Sequence, residues 1–149
     1  AEPQLSHFIC HQHRPEFVWV PAWLEHPNGV AGITRITYAT SDPLAIRSRF
    51  AGIWGDQAIT PADGGFRVET AGGSFVVLDR CAARARFAGV TMPVGWEDGP
   101  CGIAIGLRAP DPARVTEQLA GSGVPFHATD GSILVGPPHA GNVILEFGG

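Results

Sequence analysis

The chain has 149 residues, of which 44% are hydrophobic and 16% are charged, a composition that suits one globular domain and not a disordered segment. Its formal net charge is −4 and its ten basic residues, all arginine, are scattered, whereas nucleic-acid binding needs a concentrated basic face. The absence of lysine excludes Schiff-base chemistry, and no apolar run approaches the roughly 18 residues that a membrane-spanning helix needs. We therefore expect neither nucleic acid nor a membrane among the partners.

The three cysteines predict neither a zinc ribbon nor a thioredoxin-type site. Cys10, Cys81 and Cys101 are odd in number and widely spaced, and no Cys-x-x-Cys pair occurs. Such thiols are typical of a reduced, cytoplasmic protein. The chain starts at Ala1 without the charged-then-apolar layout of a signal peptide, which indicates a processed or trimmed start.

Residues 1–30 are predicted to form an N-terminal strand followed by a Pro-rich arm. In an extended strand, His11 and His13 point to the same side, where they could bind one metal ion together with Glu16 or Glu146. His13 is also a candidate general base at the mouth of a cavity. The simpler interpretation is that both histidines face solvent or form hydrogen bonds.

The same segment is rich in aromatic residues. Trp19 is a candidate for stacking on a substrate, while Phe17, Trp19 and Trp23 together are more typical of core packing or of an interface. Residues 26–29, His-Pro-Asn-Gly, have the chemistry of a turn.

Two stretches of the chain repeat the same pattern. Residues 32–43 align with residues 101–112, and both are β-rich runs that end in Asp-Pro. Residues 50–52 align with residues 119–121, Phe-Ala-Gly with Leu-Ala-Gly. Both alignments have the same offset of 69 residues. A constant offset predicts a duplicated structural unit.

Each copy is predicted to contain a helix and three short strands after its first strand. The Asp-Pro pair opens the helix, because aspartate is a good N-cap and proline is tolerated at the first helical position. Turns that contain glycine then separate the strands. The predicted strands cover residues 58–60, 66–70 and 74–79 in the first copy and residues 126–128, 132–135 and 142–147 in the second.

The sequence thus predicts an α+β fold of two βαβββ modules, residues 31–80 and 101–149, joined by a linker, residues 81–100, with a short helix near its start. A single module has one sheet face to bury and does not easily stand alone. Two modules can curl into a half-open, barrel-like sheet with the helices outside and a concave floor inside. Such a floor is a natural site for a small molecule.

Paired βαβββ modules resemble the vicinal oxygen chelate superfamily, which includes glyoxalase I, extradiol dioxygenases and bleomycin-resistance proteins. Residues 8–19, FICHQHRPEFVW, and the turn at residues 26–29 resemble a segment of bacterial glyoxalase-like proteins. In those proteins a Cys-x-x-His-x-Pro-Glu strand and a His-Pro-Asn-Gly turn precede the second pair of modules. The resemblance implies that the chain is the C-terminal module pair of a longer bacterial protein, or a shortened relative of one.

The resemblance also implies a divalent metal, held by a histidine on the first strand of each module and a glutamate on a final strand, which chelates two adjacent substrate oxygens. The positions that match by spacing from Asp-Pro are Arg35, Ala104 and Glu146. Arginine does not act as a ligand, and alanine has no donor atom. The usual site is therefore expected to be lost, and His11, His13 and Glu146 are the remaining metal candidates.

Strand alternation predicts which side chains share the concave floor. Arg35 and Arg108 should lie there with Asp79 and Glu146, whereas Ile103 should lie beneath the helices. Two interpretations stay open. Arg35 and Arg108 bind an anionic substrate while Glu146 acts as acid or base, or Arg35 and Glu146 form an ion pair that only fills the vacated metal site.

The superfamily resemblance implies a glyoxalase-like domain that acts as a lyase, isomerase or dioxygenase on a small oxygenated substrate. A metal-free module that encloses a small ligand, similar to bleomycin-resistance proteins, is the alternative, and a structural half-domain is a third. The N-terminal strand, with an exposed edge, favours a homodimer or pairing with a preceding pair of modules.

Overall fold

The computed structural model describes residues 10–148, which form one mixed sheet of eight strands with three α-helices. None of these helices is long and apolar enough to cross a membrane. In chain order the elements are β1 (Gly32–Thr40), α1 (Pro43–Trp54), β2 (Ile59–Ala62), β3 (Gly65–Thr70), β4 (Gly73–Asp79), α2 (Arg80–Arg86), β5 (Cys101–Arg108), α3 (Pro112–Gly121), β6 (His127–Thr129), β7 (Ser132–Val135) and β8 (Ile144–Gly148).

The order of the strands in the sheet shows the duplication directly. It reads β2-β3-β4-β1-β5-β8-β7-β6, so the two modules meet at their first strands. β1 pairs with β4 in parallel, β5 pairs with β8 in parallel, and β1 and β5 are antiparallel to each other. Read outward from the centre, both halves have the same sequence of strands. The predicted α+β fold of two βαβββ modules in a curled sheet is confirmed.

Both Asp-Pro pairs open equivalent helices. The Asp42 carboxylate accepts hydrogen bonds from the backbone N–H groups of Leu44 and Ala45 at the start of α1. The Asp111 carboxylate accepts one from the N–H of Arg114 at the start of α3. The proline that follows each aspartate takes a first-turn position, where its missing N–H costs nothing. The residues that defined the repeat thus begin the same element in each copy.

The strands lie within a few residues of their predicted bounds, and the last one starts two residues later than predicted. β8 begins at Ile144 because Asn142 has a φ of 64°, a left-handed conformation that a strand does not accommodate. The Asn142 side chain binds both the N–H and the C=O of Val94. This residue therefore ties the linker to the second module.

Helices α1 and α3 cover the outer face of the sheet. From α1, Ile46 and Phe50 pack in one cluster with Val77 of β4. From α3, Val115 packs in a separate cluster with Phe147 of β8. Each module thus buries one face of its strands under its own helix, as a layered α+β domain requires.

The inner face of the sheet is partly filled by the linker. Ala83 and Phe87, together with Trp96, pack in one cluster with Leu134 and Ile144 of the second module. The linker was predicted as a connection with a short helix, and it also supplies part of the core. The linker therefore occupies the apolar end of the hollow and leaves its polar end open.

The predicted position of Ile103 beneath the helices is wrong. Ile103 and its neighbour Ala104 both belong to the inner cluster. The register between β1 and β5 shifts at Thr37 and Tyr38, as it does at a β-bulge. A bulge breaks the simple alternation of side chains between the two faces, so two consecutive β5 residues contribute to the inner face.

The N-terminal arm, residues 10–31, contains two short 3₁₀-helices, Pro15–Phe17 and Pro21–Trp23, and no strand. The first part of the predicted strand falls on residues 1–9, which lie outside the described residues. The base of the arm is fastened to α3, where Nε of Arg114 donates a hydrogen bond to the carbonyl of Pro27 at 2.8 Å.

Candidate functional site

A row of four residues crosses the inner face of the sheet. Ser74 of β4 is the register partner of Arg35 in β1, Arg35 is the partner of Gly106 in β5, and Gly106 is the partner of Glu146 in β8. Arg35 and Glu146 are therefore separated by a single residue without a side chain. Pairing across the sheet, which joins residues far apart in sequence, builds the site.

Glu146 lies between two arginines. Nη2 of Arg35 is 2.7 Å from its Oε2, and Nη2 of Arg86 donates a hydrogen bond to its Oε1 at 2.9 Å. The glutamate is buried, and a buried carboxylate is stable only when charge partners replace its water. The ion pair predicted between Arg35 and Glu146 is present. We call Arg35, Glu146 and Arg86 the Arg–Glu–Arg cluster.

Arg86 is the member of the cluster that sequence reasoning missed. It lies at the end of α2, in the segment interpreted as a linker, and 60 residues separate it from Glu146. The spacing of two apolar residues in the linker could have indicated the position of Arg86. Ala83 and Phe87 are four residues apart and form a buried side of a short helix, which indicates that the linker returns to the sheet and carries Arg86 with it.

Gly106 makes the contact between Arg35 and Glu146 sterically feasible. A Cβ atom added at position 106 would lie 2.9 Å from Cβ of Arg35 and 3.3 Å from Oγ1 of Thr34. The first of these distances is shorter than real Cβ contacts. Glycine at this position therefore leaves room for the Arg35 side chain beside the middle of the row.

Three polar atoms near this row have no hydrogen-bond partner among residues 10–148: Nε of Arg35, Oγ1 of Thr37 and Oγ of Ser74. Thr37 and Ser74 are both buried. An unmatched buried polar group costs about 1–3 kcal/mol, so these atoms favour the binding of an added polar atom. Oε2 of Glu146 also lacks a hydrogen bond, and its contact with Arg35 is purely ionic.

The Arg–Glu–Arg cluster borders a cavity of about 250 Å³ at the polar end of the hollow. Asp130 and Ser132, from the turn between β6 and β7 and the start of β7, line its other side. Arg35 and Arg86 have side-chain exposures of 21% and 35%, so Arg86 is the more accessible of the two. The cavity therefore presents mainly charged and hydroxyl groups to a ligand.

The residues of this site do not fit the divalent metal that the resemblance implied. Guanidinium groups contact both oxygens of Glu146, and the positions expected to carry histidine hold Arg35 and Ala104. Between residues 10 and 148, no three or more His, Cys, Asp or Glu side chains are grouped so that they could hold a metal ion.

The histidine candidates lie on the N-terminal arm. The rings of His11 and His13 are 4.5 Å apart and exposed, and the described structure does not bring them together with Glu146 as a ligand group. Glu16, the other proposed partner, instead pairs with Arg14. The roles of His13 as a base and of Trp19 as a stacking residue stay predictions, since neither residue lines the polar cavity.

Two residues expected on the floor lie elsewhere. The placement of Asp79 there is wrong, because its carboxylate accepts a hydrogen bond from the N–H of Ala82 and caps α2. Arg108 is exposed at the end of β5, paired in register with Gly32, and it does not line the polar cavity. Its role in substrate binding stays a prediction.

Comparison with known proteins supports the fold but does not indicate an activity or a ligand. No protein-family model and no curated protein matches the chain. Among solved structures, methylmalonyl-CoA epimerase from Mycobacterium tuberculosis is similar with 14% identity and a TM-score of 0.54, over 80% of this chain and 88% of that chain. A hypothetical protein from Bacillus halodurans C-125 is similar with 12% identity and a TM-score of 0.52, over 78% and 92%.

The chain therefore has a glyoxalase-like fold, as its duplicated sequence predicted. Within that fold, an Arg–Glu–Arg cluster stands where the resemblance implied a metal ion.

Proposed function

We propose that this glyoxalase-like domain binds a small anionic molecule in the polar cavity and does so without a metal ion. The observation that carries the proposal is the convergence of two guanidinium groups, Arg35 and Arg86, on the single carboxylate of Glu146. The cluster holds one positive charge more than its own carboxylate neutralises. Arginine presents five N–H donors and binds carboxylates or phosphates with two of them at once.

The size and charge of the cavity narrow the ligand class. A volume of about 250 Å³ is at or below the lower end for drug-sized ligands, so the ligand is small. Asp130 on the opposite wall offsets the excess positive charge of the cluster, which disfavours a multiply charged anion more than a singly charged one. A small monocarboxylate suits both features, with its oxygens on Arg35 and Arg86 and its remaining polar groups facing Ser132.

The alternative is the lyase, isomerase or dioxygenase activity expected from the superfamily, with Glu146 as acid or base. Both oxygens of Glu146 contact arginine, and the two positive charges stabilise its ionised form, which makes the carboxylate a weaker base. One structurally similar protein is an epimerase, but at 14% identity this likeness concerns the fold alone. The cluster as it stands favours binding.

Thermal unfolding in the presence of acetate tests the proposal. At constant ionic strength, we expect acetate to raise the Tm and acetamide, which is similar in shape but uncharged, to leave it unchanged. Arg35→Ala and Arg86→Ala should each remove most of the shift, because each deletes one guanidinium donor. Arg47→Ala is the matched control, since it breaks a surface ion pair between Arg47 of α1 and Asp56, and neither residue lines the cavity.

Two further measurements separate the alternatives. Treatment with EDTA should not change the acetate effect, and an effect that EDTA abolishes and zinc restores would show a metal-dependent site instead. Glu146→Gln should strengthen acetate binding, because it removes the internal competitor for both arginines. A Tm shift that acetamide reproduces, or that persists undiminished in both arginine variants, would refute anion binding at the cluster.

A further inference from the structure

The N-terminal arm exposes an unusual run of large apolar side chains. Phe17, Trp19 and Trp23 are 66%, 60% and 76% exposed, and Val18 and Leu24 between and beside them are also exposed. We call these five residues the apolar arm. A cluster of exposed aromatic side chains on a small domain marks an interaction surface.

The apolar arm is held at its base and not along its length. Two hydrogen bonds tie the base of the arm to the body: Nε of Arg114 in α3 donates to the carbonyl of Pro27, and the N–H of Ala31 donates to the carbonyl of Arg108 in β5. None of the three hydrophobic clusters contains a residue of the range 10–29, and Val30 is the first to join one. The arm thus projects from a fixed point beside α3.

An apolar groove lies on the same helix. It has a volume of about 380 Å³ and runs between the first turns of α3 and the strands β6 and β7. We call it the α3 groove. Its lining is mostly apolar and includes Ala113, Thr116, Ala128, Ile133 and Phe147. Ala113 is the immediate neighbour of Arg114, so one wall of the groove adjoins the residue that holds the base of the arm.

The charges of the arm argue against a lipid surface as the partner. Arg14 pairs with Glu16, which leaves Glu25 as the unmatched charge of the segment. Interfacial membrane segments usually combine aromatic residues with an excess of Lys or Arg, which attracts anionic lipids. The arm has the aromatic residues without the positive charge, so a protein surface is the matching partner.

We propose that the apolar arm of one copy docks in the α3 groove of a second copy, and that the exchange is reciprocal. Each copy carries both halves of the interface, and a two-fold axis near Arg114 would let each arm cross to the other molecule. Trp23 is four residues from Pro27, a reach of about 13 Å in an extended chain.

The area involved is sufficient for a stable dimer. An aromatic side chain buries about 150–250 Å², and about two-thirds of Phe17, Trp19 and Trp23 is available. If each arm buried its exposed aromatic surface against the α3 groove and an equal area of the surface around it, the exchange would remove on the order of 1,200–2,000 Å² from water, the range of specific protein interfaces. This inference does not depend on anion binding in the polar cavity.

Sedimentation velocity over a range of protein concentrations tests the exchange. We expect the protein to be a dimer that dissociates on dilution, and the arm variant Trp19→Ser/Trp23→Ser to be a monomer. The groove variant Ala113→Trp, which fills the groove, should also be a monomer. Leu44→Ser is the matched control, because Leu44 is an exposed apolar residue on α1, outside both the arm and the groove.

Mixing the two monomeric variants gives the sharpest result. The groove variant keeps its arm and the arm variant keeps its groove, so a mixture should form a heterodimer through one arm and one groove, more weakly than the wild-type dimer. Circular dichroism of each variant checks its fold. A wild-type monomer at high concentration, a dimer that persists in either variant, or binding of the arm to anionic vesicles in place of self-association would overturn the proposal.

Discussion

One glycine determines whether the charged cluster can form. Gly106 lies between Arg35 and Glu146 in the row that crosses the sheet, and a side chain there would collide with Cβ of Arg35. The charges of Arg35 and Glu146 are visible in the sequence, but their contact depends on this small residue on the strand between them. The contact between Arg35 and Glu146 therefore depends on three strands and not on these two residues alone.

Gly106→Ala should destabilise the protein by about 1–3 kcal/mol, because the added methyl group forces Arg35 or the β1 backbone to shift. Urea denaturation measures the loss. Gly52→Ala is the control, since nothing lies within 4 Å of a Cβ at this position in α1, and there the change should stabilise by about 0.5–1 kcal/mol. Equal effects at the two positions would contradict the steric role of Gly106.

Among the elements, the two capped helices show what local sequence can predict. An aspartate that caps and a proline that follows it act within one turn, so both α1 and α3 begin where the Asp-Pro pairs predict. The strands between them were predicted to within a few residues from turn chemistry. The course of the linker was not, because its packing depends on residues of the second module.

Removing the caps should affect the two modules unequally. Asp42→Ala and Asp111→Ala should each cost about 0.5–2 kcal/mol of unfolding free energy. Asp42→Ala should cost more, because Asp42 accepts two backbone N–H groups and Asp111 accepts one. Urea denaturation of both variants, each with its helix content checked by circular dichroism, gives the comparison, and a larger loss at Asp111 would contradict it.

At the scale of the whole molecule, the linker determines how much volume stays open on the inner face of the sheet. Its residues fill the apolar end of the inner face, and its last helical residue completes the charged cluster at the polar end. The curled sheet alone would enclose a larger concave site. With the linker in place, the remaining cavity is small and polar, which is the basis for proposing a small anionic ligand.

The stability of the whole molecule should fall at alkaline pH. Burial raises the pKa of the Cys101 thiol above its usual 9.0; the positive charge of Arg80 lowers this pKa in part, and the negative charge of Asp98 raises it further. Burial also raises the pKa of the Tyr38 hydroxyl above its usual 10.0. A group whose folded pKa is raised stabilises the fold below its unfolded pKa, and that contribution is lost as the pH rises through the folded pKa.

Urea denaturation at a series of pH values from neutral to above 10 should therefore show a decline that begins near 9. Cys101→Ala should weaken the first part of the decline, whereas Cys10→Ser, at an exposed position, should not. A stability that rises over the same range would show that the two groups are not buried in their neutral forms.

The sequence by itself determined the duplication, the two capped helices, the α+β class and the presence of Arg35 and Glu146 at two positions where the resemblance implied metal ligands. These features depend on the spacing of residues and on contacts within a turn or a strand, so they can be predicted from the order of residues in the sequence. The tertiary structure alone decided that Arg86 joins Glu146 and that Ile103 faces inward. Each of these depends on strand register or on long-range packing, where a shift of one residue exchanges the two faces of a strand.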